Sequence, residues 1–277
     1  MEKKYYYKGE QSLFPFKALS YSNLRKYTSD RNQWFARYIK GEDFTAGESM
    51  FIGAVVHKAI ELYLTDQRTE INSDFFKLID LTQYDLNSID LEKTIKVADF
   101  CFQEVKKLIE NNRALKDEVD SVESTFKKKI KFNIDEEEEI EVPMMAIADV
   151  VTHSKVYDWK IVSKFSGEET KPTYYLQAYF IFKTSPKPLS AVNFVEVKKT
   201  KNRDTALPQV NTVVVSRMDF LHYEPFFDHI ITLMIKELLG IPLKIWAGEV
   251  IPNLADMLDG KQSFDKFISN NFKKNGN

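Results

Sequence analysis

Hydrophobic residues recur at helical spacing through most of the first half of the chain. The pattern predicts a helix over about 23–40 and a second over about 48–65. In the second of these, apolar residues return close to every third or fourth position, as on the buried face of a helix. A third and longer helix is predicted over about 90–115. The first half is therefore predicted to be mainly helical.

The spacing changes to alternation near the middle of the chain. From Phe126 to Ile134 apolar and polar residues nearly alternate, as in a half-exposed strand, and the lysines share one side. The acidic run at 135–139 then predicts a returning strand whose glutamates oppose those lysines. Further strands are predicted over 144–151, 155–162, 191–197 and 209–215, helices over 172–184 and 217–239, and a partly helical tail after Pro242. Such blocks of helices and strands favour an α+β or mixed α/β domain with helices packed on a sheet.

The composition is that of an ordinary folded protein, and it does not indicate which kind of molecule the protein binds. Hydrophobic residues make up 43% and charged residues 29% of 277 residues, which suits one large folded domain, or one domain with a helical elaboration. The net charge of −2 does not argue against nucleic acid, because a balanced total can contain a basic groove.

The chain has one cysteine, Cys101, and its first residues are mainly charged or aromatic. A single thiol excludes an internal disulfide, a thiolate zinc site and a four-cysteine iron–sulfur cluster within the chain, and it fits a reducing cytosol. The first residues, MEKKYYYKGEQ, lack the apolar core of a signal peptide. No run of about 18 uncharged apolar residues is present, so we expect a cytoplasmic protein without a membrane span.

Two carboxylates and an ammonium group carry the main chemical signal. Asp158 and Lys160 are two residues apart in a predicted strand, so their side chains project from the same face. Asp149 lies on the preceding strand, and the tight turn between the strands lets the two aspartates meet. Converging carboxylates repel each other and gain from a shared divalent cation, which could activate a water for attack on a phosphate. The alternative for the Asp158–Lys160 pair taken alone is a surface ion pair, which contributes little to stability.

Two further polar positions lie on predicted helices. In GAVVHKAIE, Gly53, His57 and Glu61 are four apart and line one helix face, with His57 beside the apolar stripe. An imidazole can bind a divalent metal beside carboxylates, but a buried histidine bonded to Glu61 or the backbone is favoured when His57 is considered alone. Gln177, in YYLQAYFIF, could orient a ligand, or it could simply be a polar position in an aromatic amphipathic helix.

Taken in order, these segments resemble the RecB-like branch of the PD-(D/E)XK nucleases. The likeness spans about 19–182. It is carried by LSYSNLRKY, the aromatic WFARYI, GAVVHKAIE for the family's G-x-x-x-H-x-x-x-E helix, AIADVV, DWK and the helix glutamine Gln177. The resemblance implies an α/β restriction-endonuclease-like core, a central mixed sheet flanked by helices, with a helical N-terminal part. We expect one nuclease domain over 1–277, comprising a helical part (19–120), a sheet core (121–215) and C-terminal helices (216–277).

The resemblance also implies roles for the polar residues. It implies that Mg²⁺ or Mn²⁺ is bound by His57, Asp149, Asp158 and the carbonyl of Trp159, with Lys160 in catalysis, Gln177 supporting Lys160 or the substrate, and Glu61 as an auxiliary acid. Water would attack the phosphodiester in line and leave a 5′-phosphate and a 3′-hydroxyl.

The chain departs from the family's pattern in three places. Ala146 stands where many members have glycine, and Ile181 stands where the family often has tyrosine. No cysteine occurs near Asp30 or after Pro252, where some members hold an iron–sulfur cluster, so a relative without that cluster is implied.

Two lysine-rich segments are candidate phosphate contacts. The better candidate is the basic loop, which contains Lys198, Lys199, Lys201 and Arg203. For the hairpin lysines Lys127, Lys129 and Lys131, charge pairing with the neighbouring glutamates is the favoured alternative.

The resemblance implies a DNA exonuclease that acts on a linear duplex or a single strand in phage or bacterial recombination or repair. Because the sequence contains no helicase motif, a recombination partner such as an annealase or helicase is expected, and an oligomer is left open. The alternatives are a non-catalytic DNA-binding or scaffold module on the same fold, and a restriction-type endonuclease with the same chemistry.

Overall fold

The structure is a computed structural model. It describes residues 5–7, 10–42, 45–66, 70–71, 73–135, 138–167, 172–201 and 208–240. In this part of the chain, helices cover both faces of a five-stranded mixed sheet, which confirms the predicted α/β class with a helical N-terminal part. A separate ribbon of two short antiparallel strands, β1 (Tyr5–Tyr7) and β2 (Glu10–Ser12), precedes the first helix.

Two helices, α1 (Tyr21–Ser29) and α2 (Arg31–Tyr38), replace the single helix predicted over 23–40. Asp30 separates them, because its backbone leaves the helical conformation and its side chain accepts a hydrogen bond from the backbone N–H of Gln33. An aspartate in this position caps the N-terminus of the second helix. The predicted continuous helix was therefore wrong at this residue.

The next helices form one layer of the fold. The helices are α3 (Glu48–Asp66), α4 (Leu91–Asn111) and the short α5 (Arg113–Asp117), and the described residues between α3 and α4 include three short 3-10 helices. This confirms the helix predicted over 48–65 and most of the one predicted over 90–115. The longer helix ends early because Asn112 leaves the helix and caps α5 with its side chain.

The central sheet has the strand order β3-β4-β5-β6-β7. Its strands are β3 (Val119–Asp135), β4 (Glu138–Thr152), β5 (Lys155–Val162), β6 (Ala191–Lys198) and β7 (Val210–Ser216). All neighbours are antiparallel except β5 and β6, which are parallel. A parallel pair needs a crossover connection, and the helix α6 (Pro172–Thr184) lies within it, as the sequence predicted.

The hairpin of β3 and β4 is longer than its sequence pattern indicates. β3 begins seven residues before the predicted start at Phe126, and β4 joins the returning strand and the strand predicted over 144–151 into one. The predicted opposition of lysines and glutamates is confirmed, with ammonium and carboxylate groups 2.9 Å apart for Lys131 and Glu139.

Two hydrophobic clusters bury the two faces of the sheet. Residues of α1, α2, α6 and the last described helix, α7 (Arg217–Leu239), pack on one face. Residues of α3 and α4 pack on the other, against Val150, Tyr157 and Trp159. Among the described helices, none combines the length and apolar character that a membrane span requires. The predicted tail after Pro242 lies outside the described residues.

Candidate active site

Three carboxylates occupy corresponding positions on three adjacent strands. The pairing of Val150 on β4 with Tyr157 on β5 places Asp149 opposite Asp158. On the other side of β4, the register with β3 places Glu123 opposite Asp149. The tight turn between β4 and β5 therefore brings the two predicted aspartates together, and β3 adds a third acid.

Glu123 is the residue that the sequence analysis missed. One carboxylate oxygen of Glu123, one of Asp149 and a ring nitrogen of His57 all lie within 4.8 Å of one another. Glu123 also has a φ of 49°, a left-handed conformation that is uncommon for a residue other than glycine. Unusual backbone conformations of this kind cluster at functional sites.

His57 of α3 lies beside the Asp149 carboxylate and the backbone of Trp159. Its Nδ1 lies 3.4 Å from Oδ2 of Asp149, and its Nε2 lies 3.0 Å from the carbonyl oxygen of Trp159. The backbone N–H of Trp159 donates to the same Asp149 oxygen at 2.7 Å. The structure thus brings together three of the groups that the resemblance assigns to a metal.

Asp158 is held from two sides. The ammonium group of Lys160 contacts one carboxylate oxygen, and the side-chain amide of Gln177 on α6 donates to the other. Gln177 therefore contacts Asp158, which in turn contacts Lys160; the role that the resemblance implies for Gln177, support of Lys160 or the substrate, stays a prediction. Because α3 and α6 belong to opposite layers, the site joins both layers through the sheet.

Burial and the charges of neighbouring groups shift the pKa values of these side chains. Burial alone would lower the pKa of His57, but the carboxylates of Asp149 and Asp158 outweigh it and raise that pKa to about 9. Burial raises the pKa of Asp158 to about 6, against the opposing effect of Lys160. Loss of hydration and the charge of Asp149 raise the pKa of Glu123 to about 7. Burial would also raise the pKa of Asp149, but His57 and Lys160 hold it below its ordinary value.

The donor set fits a hard divalent cation. Carboxylate and carbonyl oxygens are the preferred ligands of Mg²⁺ and Mn²⁺, and a histidine nitrogen can complete the set. Ligands on opposite sides of Mg²⁺ lie about 4.2 Å apart, at about 2.1 Å from the ion. The 4.8 Å limit on the Glu123, Asp149 and His57 donors is close to that separation. Because 29% of the His57 side chain and 26% of the Lys160 side chain are exposed, this side of the cluster reaches the solvent.

A cavity of about 650 Å³ opens beside these groups, and His57, Glu123 and Lys160 line it. Glu61 lines the same cavity one helical turn from His57, but its carboxylate is paired with the ammonium of Lys58 at 2.7 Å. Glu61 is therefore near the carboxylate cluster without being one of the three donor groups described above.

The described part of the basic loop is hydrogen-bonded to one residue that lines this cavity. The backbone N–H of Lys199 donates to the carbonyl oxygen of Val162, which lines the cavity, at 2.9 Å, and the Lys199 ammonium contacts the hydroxyl of Ser49. The ammonium of Lys198 lies 4.5 Å from the ring centre of Phe165. Lys201 is exposed, and Arg203 lies outside the described residues.

Comparison with solved structures finds the same fold elsewhere. A crystal structure from Eubacterium rectale, of a protein named "Putative exonuclease", superposes with a TM-score of 0.56 at 11% identity, over 90% of this chain and 89% of that chain. At this identity the likeness concerns the fold. The structure of SSO0001 gives a TM-score of 0.34 at 10% identity, over 80% of this chain and 89% of that one, which is too low to carry an argument. No family model and no curated protein matches the chain.

Proposed function

We propose that this protein is a Mg²⁺- or Mn²⁺-dependent deoxyribonuclease, and in particular an exonuclease of the RecB-like PD-(D/E)XK type. The observation that carries the proposal is the convergence of Asp149, Glu123 and His57 beside the Asp158–Lys160 pair. The name of the Eubacterium rectale protein supports nuclease activity at a coarse level. DNA is then the substrate, in a recombination or repair setting.

The proposed cation would have both side-chain and backbone ligands. It would be held by His57, Asp149, Asp158 and the carbonyl of Trp159, with Glu123 as an additional ligand. Bound there, the cation would polarise the phosphate and lower the pKa of an attacking water.

The remaining polar groups would act around that centre. Lys160 would offset negative charge that develops on the phosphate in the transition state. Gln177 would keep the carboxylate of Asp158 fixed while Lys160 acts on the substrate. Lys198, Lys199, Lys201 and Arg203 would contact phosphates farther along the strand.

The test is cleavage of end-labelled linear DNA in Mg²⁺ and in Mn²⁺, with EDTA as the blank. We expect mononucleotides or short products that appear from the ends, and no product in EDTA. Asp149→Asn should abolish product formation, since it removes a charge from the centre of the donor set. No product in either metal at several pH values would instead favour a non-catalytic module on this fold.

Circular DNA separates the two nuclease classes. A strict exonuclease leaves a covalently closed circle intact and degrades the same molecule once it is linearised. Conversion of the closed circle to linear or fragmented DNA would replace the exonuclease assignment with an endonuclease of the same chemistry.

A further inference from the structure

A buried carboxylate lies beside Lys160 on the neighbouring strand. Glu196 of β6 pairs in register with Lys160 of β5, and Glu196 is fully buried. Neighbouring strands are about 4.8 Å apart and paired residues project from the same face, so the Lys160 ammonium could reach this carboxylate. Opposite charges at such a separation attract each other strongly inside a protein. The ammonium of Lys160 nevertheless contacts Asp158, two residues before it on its own strand.

Hydrogen-bond donors from other parts of the fold occupy the Glu196 carboxylate. Its Oε1 accepts from the hydroxyl of Ser166 at 2.6 Å and from the hydroxyl of Tyr174 at 2.7 Å. Its Oε2 accepts from the backbone N–H of Ser166 at 2.8 Å and from the side-chain amide of Asn211 at 3.1 Å. A carboxylate has about four acceptor sites, so these donors fill it. The filled carboxylate leaves the ammonium of Lys160 to Asp158.

Tyr174 is the donor to Glu196 that also lines the cavity, together with Lys160. Its ring stacks on the ring of Phe194, with the two centres 4.4 Å apart and the planes 9° from parallel. The ammonium of Lys160 lies 5.7 Å from the centre of the same Phe194 ring. Burial and the carboxylate of Glu196 raise the pKa of Tyr174, so its hydroxyl keeps its proton and donates. Tyr174 therefore contacts both Glu196 and the aromatic ring beside Lys160.

We propose that Tyr174 is a positioning residue for Lys160. Its hydroxyl fills an acceptor site of Glu196 and its ring supports Phe194, so the ammonium of Lys160 stays on Asp158 at the cavity. This proposal rests on the proposed nuclease function, in which Lys160 acts on the phosphate. Removal of the hydroxyl would open an acceptor site of Glu196 beside Lys160. The ammonium would then pair with Glu196, and its charge would be lost to the candidate active site.

The first test removes only the hydroxyl. Tyr174→Phe keeps the ring that stacks on Phe194, so the chain should still fold. On end-labelled linear DNA, kcat should fall about tenfold while KM changes by less than about twofold, an effect in the range by which neighbouring groups of one network couple. Mn²⁺ affinity, measured by isothermal titration, should stay the same or rise, because Asp158 loses its lysine partner. A wild-type kcat, or a weaker affinity for Mn²⁺, would overturn the proposal.

The matched control is a second tyrosine on the same helix. The hydroxyl of Tyr179 also donates to a carboxylate, that of Asp228. Tyr179 is buried and is not among the residues that line the cavity. Tyr179→Phe should therefore leave kcat at the wild-type value. A loss as large as that of Tyr174→Phe would show that both tyrosines act through the stability of α6, and it would count against the proposal.

The second test removes the charge that would attract Lys160. In Glu196→Gln, the amide can donate to the hydroxyls of Ser166 and Tyr174, because a hydroxyl accepts as well as donates. Tyr174→Phe should change kcat by less than about twofold in this background, since a neutral amide does not draw the ammonium away. An effect of about tenfold in both backgrounds would overturn the proposal, because the hydroxyl would then act independently of the Glu196 charge.

A crystal structure of Tyr174→Phe without metal separates this proposal from the nuclease assignment. Nζ of Lys160 should lie about 3 Å from a carboxylate oxygen of Glu196, and Nζ still on Asp158 would contradict the proposal. If wild type cuts no DNA in Mg²⁺ or Mn²⁺, the proposed nuclease function fails, and this structure still decides whether Tyr174 positions Lys160. If wild type cuts DNA and Tyr174→Phe keeps both its kcat and the contact of Lys160 with Asp158, the positioning role fails and the nuclease function stands.

Discussion

At the scale of single residues, Lys160 and the proposed cation would share the Asp158 carboxylate, so metal binding and catalysis can be tested separately. The ammonium of Lys160 contacts the Asp158 carboxylate, which the proposed metal would also use. Lys160→Ala should therefore leave Mn²⁺ affinity unchanged or raise it, while the cleavage rate falls by about a hundredfold or more. Asp158→Asn should lower both the Mn²⁺ affinity and the cleavage rate. Isothermal titration with Mn²⁺ and a cleavage assay check this pair of outcomes.

The control for Lys160 is Lys96→Ala, which removes an exposed lysine that pairs with Glu92 on α4. It should leave both cleavage and Mn²⁺ affinity at wild-type values. A Lys160→Ala variant that cuts normally would show that the site has been assigned to the wrong residues.

The reactivity of the Cys101 thiol tests whether this residue is buried. The thiol lies buried in α4, and burial raises its pKa to about 12. The reactive form of cysteine is the thiolate, so a raised pKa keeps the group inert until pH approaches that value. We expect no reaction of the native protein with a thiol reagent at neutral pH, and full reaction of the single cysteine in denaturant. Rapid labelling under native conditions would mean that α4 separates readily from β6.

Some residues of the candidate site could be predicted from the sequence, and one could not. Asp158 and Lys160 share a strand face, and a tight turn leads back to Asp149, so local periodicity is enough to place those three. Glu123 could not be found in this way, because its strand extends beyond the alternating pattern and its φ is positive. Its position depends on pairing with β4, which is not a property of its own segment.

At the scale of elements, Gly53 lowers the helix propensity of α3, and its effect on the free energy of unfolding can be measured. Gly53→Ala should raise the free energy of unfolding by up to about 1 kcal/mol, because alanine is the better helix former. The added methyl group meets no atom within 4 Å, so no steric penalty offsets the gain. Urea unfolding of the variant and of wild type checks the value. A loss of stability would show that the helix packs more tightly at this position than the structure indicates.

A buried carboxylate on β6, that of Glu196, bonds the segment that follows β5 to the sheet. Glu196 is fully buried and accepts hydrogen bonds from the backbone and hydroxyl of Ser166 at 2.8 and 2.6 Å, from Tyr174 at 2.7 Å and from Asn211 at 3.1 Å. Charged hydrogen bonds of this kind are stronger than neutral ones, and removing their acceptor leaves several donors unsatisfied.

We therefore expect Glu196→Ala to lower the free energy of unfolding by about 3 kcal/mol or more. Tyr174→Phe removes one donor and should lower it by about 1–2 kcal/mol. The two values come from urea unfolding followed by circular dichroism. An effect of Glu196→Ala no larger than that of Tyr174→Phe would mean that the other donors find new partners.

The elements themselves were predicted unevenly, for physical reasons. The helix over 172–184 and the strand over 155–162 match the structure because each has a strong pattern and clear ends. The break between α1 and α2 was missed, since an aspartate can lie inside a helix or cap one, and only the backbone at Asp30 decides. The joined strand β4 was missed because a long hairpin is set by pairing with β3.

At the scale of the whole molecule, the site connects the layers that make up the fold. His57 comes from α3 on one face of the sheet, Gln177 comes from α6 on the other, and the strands between them supply the carboxylates. A cation held by groups of this kind binds only the folded chain, so binding stabilises the native state. The two hydrophobic clusters share the same strands. We therefore propose that they unfold as one domain in a single cooperative transition.

Mn²⁺ should thus raise the midpoint of the whole transition. At a concentration about 100 times the dissociation constant, the gain is about 2.7 kcal/mol at 25 °C. Thermal unfolding should be followed by circular dichroism, and labelling of Cys101 should report on the layer that contains α4. Both signals should move together, because one transition carries both layers. His57→Ala should remove most of the shift, whereas Lys96→Ala should keep it. Two separate midpoints, of which Mn²⁺ moves only one, would contradict the single domain and place the metal within one layer.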